Sequence, residues 1–258
     1  MLSSSFTCRQ CDERLVKDYP KIENIQMLKR TVPLFTLLIS SLLVAYFLFW
    51  PVGFEPPKFM PKPAPALKGI LEPKSDLKNI MTLQTGLGPE DVAFDEKGRM
   101  YSGLENGQIV RLTPPSKISK TWVNTGGRPL GLVFNNRGEL IVADAKKGLL
   151  SIDGNGKIEV LTSAIDGVPF KFIDDLVIAN DGVIYFVDSS KDYGIEDDYV
   201  LSSFMDGRPL GRLLSYDPHS KKVELVHGNL FFPNGITMSH DGAAVLVSEM
   251  MTYRVLRI

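Results

Sequence analysis

Cysteine is almost missing from this 258-residue chain: Cys8 and Cys11 are the only two, and both fall in the first dozen residues. Everything beyond them is therefore a domain without disulfides, on whichever side of a membrane it lies. Histidine is scarce as well, with three copies, which argues against zinc or copper held by imidazole or thiolate. Neither sign of charge is in excess. A formal net charge of −1 leaves no basic face for nucleic acid, and no such partner is expected. No N-x-[ST] sequon occurs, so nothing points to a glycan stalk. The stretch TCRQCDE has the spacing of half a zinc site, but without a second pair of ligands it reads as two ordinary thiols.

One long apolar run is present, TVPLFTLLISSLLVAYFLFW from Thr31 to Trp50, inside an uncharged interval between Arg30 and Glu55. About 20 helical residues span a ~30 Å hydrocarbon core, so the run predicts an uncleaved transmembrane signal anchor in contact with a lipid bilayer. Arg9, Arg14, Lys17, Lys21, Lys29 and Arg30 precede it, against Lys58, Lys62 and Lys68 after it. That bias keeps residues 1–30 as a cytoplasmic tail and sends the rest to the lumenal or extracellular side, a single-pass type II arrangement. Residues 51–69 are rich in proline and read as a stiff spacer. Residues 70–258 form the main domain.

That domain repeats itself. The copies are GPEDVAFDEKGRMYSG from Gly88, GRPLGLVFNNRGELIVAD from Gly127, KFIDDLVIANDGVIYFVD from Lys171 and FFPNGITMSHDGAAVLVSE from Phe231. Each has a small or polar entry, an apolar strand, a turn ending in glycine and a second apolar strand. The turn glycines Gly98, Gly138, Gly182 and Gly242 lie 40, 44 and 60 residues apart. Further strands follow, such as GLLSID and KIEVLTS. Four short strands per ~40-residue unit predict blades of a β-propeller rather than a β-sandwich, which need not repeat at that period. A long insertion, Ser189 to Gly211, parts the second and third strands of the third copy. It reads either as part of a ligand mouth or as a solvated acidic loop around Glu196, Asp197 and Asp198.

The first strand of each blade lines the propeller's central channel, so the entry residues converge at one end. They are Glu90 and Asp91, Pro129 and Leu130, Asp174 and Asp175, and Asn234. Hard oxygen donors recur at three of the four entries. Taken singly, each fits a turn that satisfies local backbone donors. Together they suit calcium, which takes six to eight oxygen ligands.

The motifs FIDDLVIANDGVIYFVDSS, DYVLSSFMDGRPLGRLLSYD and LFFPNGITMSHDGAAVLVSE run in the order found in the strictosidine synthase-like family. The chain thus resembles that group, related to the calcium-dependent paraoxonases and gluconolactonases. The resemblance implies an all-β six-bladed propeller, with about four blades present in this sequence. It also implies a central calcium held by Glu90, Asp174 and Asn234, and a second, structural calcium near Asp91 and Asp175. The implied activity is hydrolysis of a small ester or lactone, with a nearby carboxylate as general base. Three departures bear on it. Asp174 stands where related hydrolases often have asparagine, Leu130 where paraoxonases place a histidine, and the chain ends at RVLRI inside its fourth copy, as a fragment would. The competing expectation is a non-catalytic membrane propeller that binds a protein or glycan partner.

Overall fold

The computed structural model describes residues 23–49, 66–69, 72, 74, 82–83, 85–196 and 199–258. Two compact units result, Met1–Phe54 and Glu55–Ile258. The first contains helix α1 (Glu23–Phe49). Among the described residues no helix is long and apolar enough to cross a membrane, so the expected transmembrane helix at Thr31–Trp50 is not supported. Trp50 and the spacer at 51–65 lie outside the described residues, as do Cys8 and Cys11.

The second unit is built from antiparallel sheets paired in chain order. Blade 1 contains β1 (Ala93–Phe94), β2 (Met100–Gly103), β3 (Gln108–Leu112) and β4 (Lys120–Asn124). Blade 2 contains β5 (Pro129–Phe134), β6 (Leu140–Asp144), β7 (Gly148–Ile152) and β8 (Ile158–Thr162). A small hairpin, β9 (Ala164–Ile165) and β10 (Val168–Pro169), leads into blade 3. That blade has β11 (Ile173–Ile178), β12 (Ile184–Asp188), β13 (Gly211–Asp217) and β14 (Lys222–Leu230). Blade 4 has β15 (Pro233–Met238), β16 (Val245–Glu249) and β17 (Arg254–Arg257).

The repeat read from the sequence is thus the repeat of the sheets. Gly98, Gly138, Gly182 and Gly242 close the turn after each first strand with φ between 66° and 89°, a conformation that a Cβ disfavours. Apolar residues of successive blades interleave. Ile141 and Leu149 of blade 2 pack with Leu176, Phe186 and Leu214 of blade 3, while Val187 and Leu213 of blade 3 pack with Val245 and Val247 of blade 4. Blade stacking therefore buries the core that no single sheet could bury alone.

The insertion is not merely a solvated loop. Its second half forms α2 (Tyr199–Asp206), and Phe204 from that helix stacks on Phe232 with ring centroids 4.5 Å apart. Tyr193 ties the loop to the helix by donating to Asp206 at 2.8 Å. Asp197 and Asp198 lie outside the described residues, and Glu196 pairs with Lys146 at 3.3 Å.

Candidate metal site at the blade entries

Each entry of blades 2 to 4 coincides with a β-bulge. Pairing of the first strand with the second slips between Pro129 and Leu132, between Ile173 and Leu176, and between Pro233 and Ile236. The unpaired residues are Leu130–Gly131, Asp174–Asp175 and Asn234–Gly235. A bulge takes side chains out of the regular pleat and re-aims them, which is why these residue pairs can reach the neighbouring blade.

Asp174 is 3% exposed. Its Oδ2 accepts hydrogen bonds from the Ser189 hydroxyl at 2.9 Å and from the Asn234 amide at 3.0 Å. Two of the predicted ligands, from adjacent blades, are thereby in direct contact. Because Nδ2 of Asn234 is the donor, its Oδ1 is left to face another group. No cation of the described residues pairs with Asp174. Burial, reinforced by the nearby charge of Glu90, pushes its carboxyl up to about 8. Glu90 itself is exposed and sits 3.6 Å from the Arg128 guanidinium, which also donates to the Gly88 carbonyl at 2.7 Å.

Asp91 and Asp175 act across blades in the same way. Asp91 accepts from its neighbour Val92 N at 2.6 Å and from Leu132 N of blade 2 at 2.8 Å. Asp175 accepts from Leu176 N at 2.8 Å and from Ile236 N of blade 4 at 3.1 Å. Burial, with the charges of Asp91 and Glu90 adding to it, pushes Asp175 up to about 6. At the matching position blades 2 and 4 carry Gly131 and Gly235. A Cβ on Gly131 would lie 2.6 Å from the Asp175 carboxylate and 2.8 Å from its Cα. Gly131 therefore leaves room for Asp175 of the next blade, while a Cβ on Gly235 would meet the Ser248 hydroxyl at 3.0 Å.

The chemistry of this face is an excess of carboxylate over cation: Glu90, Asp91, Asp174 and Asp175 beside Arg128. Its donors are hard oxygens, of the kind that suit a hard cation. Among the described residues no group of three or more His, Cys, Asp or Glu forms a metal-binding cluster, so an ion here would draw on Asn234 and water beside the two carboxylates Glu90 and Asp174. Leu130 supplies no oxygen. It is buried with Ala145, Phe172 and Phe232 in an apolar cluster that adjoins the entries.

A second acidic series escaped the sequence reading. Asp144, Asp188 and Glu249 close the second strands of blades 2, 3 and 4, and each is almost fully buried. They hold the entry backbone, accepting from Arg128 N at 2.9 Å, Phe172 N at 3.0 Å and Phe231 N at 2.9 Å. Asp188 is also paired with Arg212, and Glu249 with Arg254. The signal was present in the endings IVAD, YFVD and LVSE of the repeats. Acids at that place hold up the entries from behind.

Antiparallel blades paired in chain order, with a bulge at the entry of each of blades 2 to 4, define a β-propeller fold. Among solved structures the chain is similar to a gluconolactonase from Xanthomonas campestris, with TM-score 0.56 and 16% identity, over 67% of this chain and 58% of that one. It is also similar to the calcium-binding protein regucalcin from Agrobacterium tumefaciens, with TM-score 0.54 and 16% identity, over 68% and 55%. At such identity the likeness shows the fold alone.

The sequence matches are more specific. The family model described as Strictosidine synthase matches residues 174–258, and that described as Strictosidine synthase-like, N-terminal, matches residues 71–112. Protein STRICTOSIDINE SYNTHASE-LIKE 4 of Arabidopsis thaliana is 41% identical over 172 residues, 64% of this chain and 46% of that protein. Adipocyte plasma membrane-associated protein of Rattus norvegicus is 35% identical over 223 residues, 79% of this chain and 58% of that protein. The chain is thus similar in sequence to the strictosidine synthase-like proteins. It spans about half the length of the curated relatives it matches.

Proposed function

We propose that the entry face binds calcium through Glu90, Asp174 and Asn234, and that the protein hydrolyses a small ester or lactone there. The observation that carries this reading is Asp174: a buried carboxylate in contact with Asn234, next to further negative charge and, among the described residues, with no cation paired to it. A divalent ion supplies that balance and, when bound, polarises a carbonyl oxygen as a Lewis acid. The protein's own groups do the rest. Ser189 and Asn234 fix the orientation of the Asp174 carboxylate. Arg128 holds Glu90 beside the site, and a nearby carboxylate acts as general base. The apolar cluster of Leu130, Phe172 and Phe232 keeps one wall of the site dry.

Asn234→Ala tests the reading. Calcium affinity and turnover of phenyl acetate fall together, by about 10–100-fold, the usual scale for losing a supporting group at a metal site. Unchanged activity in the variant removes Asn234 from the mechanism.

Leu130 favours a second reading, a propeller that binds a partner without catalysis, because an apolar residue fills one entry position. Calcium binding without turnover of any ester or lactone would select it. In either case the exposed apolar residues of α1, among them Phe35, Leu42 and Phe47, support attachment to a lipid bilayer, with the propeller on the lumenal or extracellular side. Flotation with liposomes that is lost when residues 31–50 are deleted tests the attachment.

A further inference from the structure

The turns that follow the first strands lie at the opposite end of the blades from the entries, about six residues or ~20 Å away along each inner strand. At that end a cleft opens between each pair of neighbouring blades, lined by equivalent residues in every case. The second strand contributes Tyr101, Ile141 or Tyr185, which pair with Ala93, Val133 and Val177. The fourth strand contributes the residue skipped by a bulge: Trp122, Leu161 or Val226. The next blade contributes the end of its first strand: Phe134, Ile178 or Met238.

These equivalent residues fill the three clefts very differently. Between blades 1 and 2, Tyr101 meets Trp122 and Phe134 edge-on, with ring centroids 5.0 Å apart in both cases, and Arg99 lies over the Tyr101 ring. The space left is about 180 Å³. Between blades 3 and 4, Tyr185, Val226 and Met238 leave about 400 Å³. Between blades 2 and 3 every ring is replaced: Ile141 stands for Tyr101, Leu161 for Trp122 and Ile178 for Phe134. Ser151 also stands where blade 1 has Arg111, as their pairing with Ile141 and Tyr101 shows. This cleft measures about 660 Å³, within the ~300–1,000 Å³ of small-molecule sites. Its walls include Val133, Phe134, Ile141, Leu161 and Ile178, and Asn136, Asn180 and Ser151 edge it. Among the described residues no hydrogen bond engages those three polar side chains.

We propose that the cleft between blades 2 and 3 is a ligand site distinct from the entry face. It takes a neutral molecule with an aromatic or fused-ring body and one hydroxyl or carbonyl edge. The ring body takes the place that Tyr101, Trp122 and Phe134 occupy in the neighbouring cleft. The polar edge meets Asn136, Asn180 and Ser151. A neutral body suits the walls, which are apolar apart from that edge; at the rim Arg137 is paired with Glu139 at 2.7 Å, Asp181 accepts from Val183 N at 3.1 Å, and His219 lies beside Pro218. Apolar walls and a few polar groups at the edge are the usual make-up of a site in which apolar burial supplies affinity and polar groups fix orientation.

The probe is 2-naphthol, titrated by its fluorescence into the full 258-residue chain. Saturable one-site binding is expected, weakened at least tenfold by Leu161→Trp, which rebuilds the filled cleft of blades 1 and 2. Ile178→Phe serves as a second plug should Leu161→Trp lower the melting temperature, and Asn234→Ala at the entry face leaves binding unchanged. Absence of saturable binding, or binding that both folded plug variants retain, overturns the proposal. Loss of binding in Asn234→Ala alone overturns it too, since the ligand would then sit at the entries.

Discussion

Ile236 of blade 4 donates its amide to the carboxylate of Asp175 in blade 3, 61 residues earlier in the chain, at 3.1 Å. Asp91 and Leu132 repeat the relationship between blades 1 and 2 at 2.8 Å. A side chain of one blade thus completes the backbone bonding of the next at the very point where a bulge has interrupted the strand ladder.

Asp175→Ala removes that bond and leaves the Ile236 amide unpaired, at a cost of about 1–3 kcal/mol. Asp175→Asn keeps one accepting oxygen and loses less. Thermal unfolding of both variants, with and without calcium, distinguishes the strap from the second calcium that the sequence suggested. Equal losses in the two conditions identify a strap, whereas a loss seen only with calcium identifies an ion at Asp175.

Gly131→Ala inserts a methyl group against the Asp175 backbone. Backbone cannot swing aside as a flexible side chain would, so the variant is less stable by about 1–3 kcal/mol. The same substitution at Gly154, where a Cβ meets nothing within 4 Å, serves as the control. Equal melting temperatures for the two variants would contradict the close approach.

Stability of the calcium-free protein depends on pH through Asp174 and Asp175. An unfolded aspartate titrates near 3.8, whereas burial and neighbouring charge bring these two to about 8 and about 6 in the fold. Between about pH 4 and pH 8 the folded state therefore holds more protons than the unfolded one, and stability falls as pH rises through that window. The melting temperature is expected to drop from pH 5 to pH 8, less steeply in Asp174→Asn. Calcium, bound only by the folded state, offsets the drop at pH 8. A melting temperature that rises over this range would contradict the assignment.

Asp188→Ala leaves Arg212 without its buried partner and the Phe172 amide without an acceptor. Breaking one side of a buried ion pair costs about 3–5 kcal/mol, more than any exposed pair in the molecule. A loss under 1 kcal/mol in denaturant unfolding would show that water takes over both roles.

The blades were legible in the sequence because their cause is local. Strand alternation and a turn glycine such as Gly138 lie within a few residues of each other, and the period exposes them. The entry residues were legible as equivalent positions for the same reason. What Asp91 and Asp175 touch was not, since their partners Leu132 and Ile236 are 41 and 61 residues away and a backbone amide has no sequence signature. That Asp144, Asp188 and Glu249 hold the entry backbone was not legible, because an acid ending a strand reads the same whether it faces solvent or accepts from a buried amide. Helix α2 was hidden in an insertion that has no counterpart in the other blades. The apolar run from Thr31 falls within helix α1 as far as Phe49, and among the described residues no helix is long and apolar enough to cross a membrane.

The most direct test of the metal site is a calorimetric calcium titration of the protein with phenyl acetate hydrolysis followed in parallel. Saturable binding at one site, with turnover that appears as that site fills and declines with it in Asn234→Ala, is the expected result. A folded protein that takes up no calcium at pH 8 would contradict the account at its centre.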